Sequence, residues 1–174
     1  ELLGNFFYLK CPPEKQNIIF DLYQKHEIYN TVHFTLNINR IIIMEYGVFY
    51  FPTHYGIEIG ELAEELESRN FSQLLACEHT HIPISRKTPF PPGGELPERY
   101  KHTLDPFVAL SFAASRTTNL KIGTGICLLP QRDVITTAKA AASLDRLSNG
   151  RFIFGVGAGW NQDEMENHGV VYKT

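Results

Sequence analysis

The chain has 174 residues, 43 % of them hydrophobic and 20 % charged, the balance of a globular protein with enough apolar content for one ordinary domain. Its 16 Lys and Arg against 19 Asp and Glu leave a formal charge of -3, which supplies no broad basic field, so no nucleic acid and no membrane is expected as a partner. Cys11, Cys77 and Cys127 are widely spaced without a C-x-x-C pair, which argues against a disulfide scaffold or a structural zinc site, and no apolar run is long enough to cross a bilayer; a cytoplasmic protein is expected.

Residues Glu1 to Ile43 are rich in Asn, Ile, Tyr and Phe, show no sustained helical or alternating period, and begin without an initiator Met. They read as an atypical amino-terminal extension with a helix near Gln16 to Lys25, or as sequence upstream of a true start at Met44, the reading we favour. From Met44 the pattern is regular. Tyr46 to Phe51 (YGVFYF), closed by Pro52, predicts a buried parallel strand. Glu58 to Asn70 predicts an amphipathic helix, with Leu62 and Leu66 inward and glutamates around them, and Gln73 to Glu78 a second strand. Thr80 to Leu104 carries Pro83, Pro89, Pro91, Pro92 and Pro97 with Gly93 and Gly94, and predicts a long loop of the kind that serves as a lid or binding segment.

Asp105 then caps a helix with Pro106 at its first position, running to about Thr117 with Phe107, Leu110 and Ala114 inward. Leu120 to Ile126 predicts a third strand, Asp133 to Leu147 a third helix, Ser148-Asn149-Gly150 its terminating turn, and Phe152 to Val156 a fourth strand. This β-α alternation means an α/β fold with a parallel sheet, either doubly wound or closed as a barrel. In such folds the chemistry sits at the carboxyl ends of strands, here Gly123 to Gln131 and Gly155 to Asn161.

Three constellations lie at those ends. In Glu78-His79-Thr80-His81 an imidazole can hydrogen-bond a cofactor ring or move a proton near neutral pH; the plainer alternative is a loop histidine with a structural glutamate. His79 and His81 could also ligate a metal, as H-x-H does in metal-dependent hydrolases, but the later strand ends offer no further ligands, so no metal site is assigned. The glycines of Gly123-Thr124-Gly125-Ile126 either admit a ligand or relieve crowding at a barrel rim. Gly155-Val156-Gly157-Ala158-Gly159 has G-x-G-x-G rather than G-x-G-x-x-G spacing and is a weak dinucleotide match. No G-x-S-x-G elbow occurs, and Cys77 and Cys127, set in apolar strands, read as inert thiols.

Together GVFYFPT, EHTHIP, LDPFVALSFAASRTTNLKIGTGI, LPQRDVITTAKAAASLDRLSNGR and FGVGAGWNQDEM make residues 44–174 resemble the amino-terminal half of the bacterial luciferase-like oxidoreductases, most of all the branch using coenzyme F420. The resemblance implies a TIM (β/α)8 barrel, of which the first four β/α units are present, with F420 as first choice of cofactor or FMN as second, lying across the carboxyl end. It implies a cis peptide at Gly125-Ile126 and gives His79 the proton transfer. By the same resemblance Glu78, His79, Gly125, Ile126, Leu128, Gly157, Gly159 and Asn161 hold the cofactor, and Phe51, His81 and Trp160 line the substrate pocket. Some relatives carry an acidic glutamate where this chain has Trp160, a departure that speaks against a sugar-phosphate dehydrogenase mechanism. The implied activity is hydride transfer to, or oxygen insertion into, a small organic substrate, by a homodimer in the full-length form. Because a barrel needs about 250 residues, the chain is expected to be a fragment or to pair with another chain, which leaves a non-catalytic binding module as the alternative; the H-x-H hydrolase is the second.

Overall fold

The computed structural model describes residues 30–38 and 41–171, with side chains from residue 45 onward. The helix expected near Gln16 to Lys25 lies outside the described residues. Strands β1 (Asn30–Ile38) and β2 (Ile41–Tyr50) pair antiparallel, with Asn30 opposite Phe49 and Ile38 opposite Ile41. This pairing is absent from the sequence expectation, which has no strand before Tyr46. The run IIIMEYGVFY is apolar and β-branched at its start, and β2 continues through Met44 without a break.

Beyond the hairpin the sheet is parallel. Helix α1 (Ile59–Ser68) leads to β3 (Gln73–Ala76), and the long loop, which contains a short 3-10 helix over Glu98–Lys101, leads to α2 (Pro106–Arg116). Strand β4 (Lys121–Thr124), the two-residue β5 (Cys127–Leu128), a 3-10 turn over Leu129–Gln131 and α3 (Val134–Leu147) follow. The described chain closes with β6 (Phe152–Ile153), β7 (Val156–Gly157) and α4 (Gln162–Asn167). The main sheet has the order β1-β2-β3-β4-β6, and β5 pairs with β7 apart from it. The parallel strands lie side by side in chain order with no reversal, the succession of a barrel wall rather than of a doubly wound sheet with its switch point.

Helices α1, α2 and α3 begin where the sequence has acidic caps. Glu58 accepts from the N–H groups of Gly60 (2.9 Å) and Glu61 (3.0 Å), Asp105 from Phe107 (2.9 Å) and Val108 (3.1 Å), and Asp133 from Thr136 (2.7 Å). Each satisfies donors a helix start leaves open. Helix α3 ends at Ser148, after which Asn149 and Gly150 turn left-handed at φ 57° and 77°. The core between helices and sheet is Val48, Tyr50, Leu62, Leu66, Leu74, Leu110, Ile122 and their neighbours, all buried.

The strand ends are shorter than the expected spans. Pairing loosens toward the carboxyl end as the chain bends at Gly125-Ile126, whose peptide bond is cis, and resumes in the β5–β7 pair. Among the described residues no helix is long and apolar enough to cross a membrane.

Candidate functional site

Strands β2, β3 and β4 and the β5–β7 pair all release their chains at one end of the sheet, and their exits carry the polar residues singled out from sequence. His79 follows β3 and is 8 % exposed, with Nδ1 2.8 Å from Glu164 Oε2. Glu164, on α4, is fully buried, and its second oxygen accepts from Thr80 N–H at 2.9 Å and from the Thr80 hydroxyl at 3.2 Å. Burial pushes the Glu164 carboxyl up, but the His79 hydrogen bond and charge and the Thr80 donors outweigh it and hold it below the usual carboxylate range. Sequence reasoning missed Glu164. Asn161-x-x-Glu164 has capping-box spacing, which points that glutamate at its own helix start; instead it reaches across to β3, and the Asn161 side chain makes no cap bond.

Aromatic rings wall the other side of His79. Tyr100, carried in by the 3-10 helix of the long loop, has its ring centroid 5.0 Å away, and Trp160 lies at 5.7 Å. Phe51 packs on Tyr100 at 4.7 Å, and Phe90 joins Tyr100 and Trp160 at 5.4 and 5.8 Å. Trp160 thus lies beside His79 and Phe51 stands behind Tyr100, and the loop adds Phe90 and Tyr100, which sequence did not single out. Burial raises the Tyr100 phenol above its ordinary pKa, so its hydroxyl stays protonated.

The loop is fastened at both ends. Thr103 donates to the His79 carbonyl at 2.7 Å and Leu104 N–H to the Pro52 carbonyl at 2.8 Å. On the far side Asp163 of α4 accepts from the N–H groups of Thr88 (2.8 Å) and Lys87 (3.1 Å). The Thr88 hydroxyl and N–H lower the Asp163 carboxyl to about 2. One short helix therefore holds both the histidine and the loop that covers it.

The remaining expected residues divide into several environments. Glu78 is buried, but its carboxylate is committed behind the strand end, accepting from Leu128 N–H at 2.7 Å and Arg132 Nε at 2.6 Å, while Arg132 also reaches Asp105 at 2.6 Å. It fixes the β5 exit through Leu128 rather than presenting free oxygens. A Cβ on Gly125 would meet the Phe49 ring at 2.2 Å, one on Gly157 the Ile126 Cδ1 at 2.0 Å, and one on Gly155 the Thr124 carbonyl oxygen at 2.3 Å. Beside each of these three glycines the chain's own atoms leave no room for a Cβ. Gly159 sits at φ 84°, a left-handed turn that only glycine adopts freely, with Leu128 at 3.0 Å from its would-be Cβ. Ile126 is 39 % exposed at the cis bond.

Asn161 is fully buried, yet neither atom of its amide has a hydrogen-bond partner, and Gln131 Nε2 is in the same position. Buried amides without partners are costly, and they fit a site that a polar ligand completes. His81 turns away from His79: its Nε2 lies 3.0 Å from the Asn167 amide nitrogen and its ring 5.4 Å from that of His168. The H-x-H pair therefore does not converge, and among the described residues no cluster of three His, Cys, Asp or Glu side chains is placed to hold a metal. Burial pushes both the Cys77 and Cys127 thiols up to about 12, in keeping with inert thiols.

An uncharacterized protein of Mycobacterium tuberculosis is 43 % identical over 130 residues, covering 73 % of this chain and 46 % of the relative, so the chain spans about half the length of that protein. The FMN-bound oxygenating constituent of 3,6-diketocamphane monooxygenase from Pseudomonas putida aligns with a TM-score of 0.58 at 20 % identity, over 74 % of this chain and 33 % of that one. The coenzyme F420-dependent tetrahydromethanopterin reductase of Methanopyrus kandleri aligns with a TM-score of 0.52 at 24 % identity, over 72 % and 30 %. These likenesses carry the fold, and the luciferase-like monooxygenase family matches residues 44–174. The chain belongs to that family.

Proposed function

We propose that this chain carries part of the active site of an oxidoreductase that uses F420 or, as second choice, FMN on a small organic substrate, with His79 as the proton-transferring group. The observation that carries the reading is a buried imidazole at a strand exit, hydrogen-bonded to a buried carboxylate and faced by Tyr100 and Trp160, with Phe51 and Phe90 packed against those rings. Membership of the luciferase-like family and structural likeness to one FMN-bound and one F420-dependent enzyme support it. The unpartnered Asn161 amide, a carbonyl acceptor beside an NH2 donor group, suits the alternating carbonyl and N–H edge of a flavin or deazaflavin ring.

Either cofactor supplies two-electron hydride chemistry, and FMN adds reaction with dioxygen. The chain's own residues do the rest in this proposal. Asn161 would hold the ring's polar edge, and Ile126, Leu128, Gly157 and Gly159 would border it. The aromatic wall keeps water from the reacting atoms, and His79 gives or takes the proton that accompanies hydride movement. A homodimer of the whole protein completes the proposal. The exposed Val108 and Phe112 of α2 and Ile135 of α3 are apolar surface suited to burial between copies.

The test is cofactor oxidation by the whole protein with and without dioxygen. Oxidation of bound reduced F420 by an organic acceptor at the same rate in air and under argon supports the first choice; oxygen consumption with FMN selects the second. Turnover with neither, but chelator-sensitive hydrolysis, would move the reading to a hydrolase.

A further inference from the structure

Glu164 does more than fill space beside His79. It is fully buried, and each of its oxygens has its own donors: Oε1 receives Thr80 N–H at 2.9 Å and the Thr80 hydroxyl at 3.2 Å, while Oε2 lies 2.8 Å from His79 Nδ1. Thr80 Oγ1 is in turn 3.1 Å from Gln131 Oε1 and 2.8 Å from His168 Nε2, which ties the group to the 3-10 turn after β5 and to the end of α4. The carboxylate cannot rotate without giving up Thr80. An ionised carboxylate only accepts hydrogen bonds, so the atom facing Oε2 must bear a proton.

We infer that Glu164 is the positioning residue for His79. It fixes the neutral imidazole as the tautomer with the proton on Nδ1, leaves Nε2 as the nitrogen that exchanges a proton with substrate, and balances the positive charge when both nitrogens are protonated. The inference deepens the proposed function and rests on the role given there to His79. The role is distinct from simple packing because it depends on which atom of residue 164 faces the ring.

The substitution Glu164→Gln keeps the size and reverses the instruction. Thr80 N–H donates to the Oε1 position at 2.9 Å, so the glutamine carbonyl oxygen takes that place and its NH2 group faces His79. Nδ1 must then accept, and the proton moves to Nε2. Replacing a charged orienting group by its amide in this way costs about 10⁴ in turnover in a well-studied hydrolase triad.

The experiment is 15N NMR of the whole protein labelled at histidine, read above the imidazole titration without any cofactor. The wild type is expected to show His79 with Nδ1 protonated and Nε2 bare; Glu164→Gln is expected to show the opposite, and Glu164→Asp, which keeps the charge, the wild-type pattern. In turnover assays Glu164→Gln is expected to lower kcat by about 10²-fold or more, with cofactor affinity unchanged. A wild-type His79 protonated at Nε2, or a Glu164→Gln protein with the wild-type tautomer, overturns the inference. The wild-type spectrum decides the tautomer even if the variant does not fold. Failure to bind F420 or FMN would count against the functional reading and leave the tautomer result standing, so the two failures are separately readable.

Discussion

At the scale of single residues the site depends on where a few protons sit. The proposed function gives His79 the proton transfer, so His79→Ala, which leaves Asn161 and the β5–β7 exit in place, is expected to lower turnover about 10²- to 10⁴-fold, while cofactor affinity changes little; parallel activity and binding measurements check the split. Cys77 and Cys127, with thiols pushed up to about 12 by burial, are expected to resist alkylation at pH 8 in the native protein and to react on unfolding. Rapid modification of either in the folded state would contradict that account. His79, Trp160 and Asn161 were legible in the sequence because they stand at strand exits. Glu164, Thr80 and Tyr100 were not, since 85 residues separate His79 from Glu164 and local spacing points the glutamate toward a helix cap.

At the scale of elements, two devices hold the architecture. The first is the fastening of the Pro-rich loop to α4 through Asp163. The carboxyl is lowered from 3.8 to about 2, so its contribution is fully present above the ordinary value and is lost as pH falls through the folded one. Trp160, the one tryptophan of the sequence, reports on this loop through Phe90 and through Arg86, whose guanidinium lies 5.8 Å from the indole. Asp163→Ala is therefore expected to shift Trp160 emission to the red at neutral pH. The wild type should make that shift only between about pH 4 and pH 2.

The second device is Arg151, which follows α3. Its guanidinium donates to the carbonyls of Ser148, Leu120, Ala114 and Thr117 and to the Thr117 hydroxyl, all at 2.7 to 3.0 Å. It joins the end of α2 to the starts of β4 and β6, and Arg151→Ala is expected to cost about 2–4 kcal/mol in denaturant unfolding. The boundaries of α1, α2 and α3 were read from sequence to within about two residues, whereas α4, six residues long and without a side-chain cap bond, was not expected at all. The strand ends were not read as closely: β4 gives way at the bend at Gly125, and β3 and β6 stop at Ala76 and Ile153, short of the apolar runs that sequence follows.

At the scale of the whole molecule, β-α alternation indicated a parallel α/β sheet, and the strand order, which no local pattern encodes, resolves its type. The β1–β2 hairpin lay beyond reading, since a regular period is missing before Tyr46 and an antiparallel partner is recognised only once the strands are side by side. The site gathers residues from β2, β3, the long loop, the β5–β7 pair and α4, so it exists only when these elements are assembled.

The central claim is that this assembled end of the sheet receives a flavin or deazaflavin ring beside His79 and Trp160. The measurement that tests it most directly is a Trp160 fluorescence titration of the whole protein with F420 and with FMN, repeated on Asn161→Ala. The account predicts saturable quenching by one of the two, weakened by about tenfold in Asn161→Ala, as expected when a buried ligand hydrogen bond is removed. No saturable binding of either cofactor, or equal binding to the variant, would contradict it.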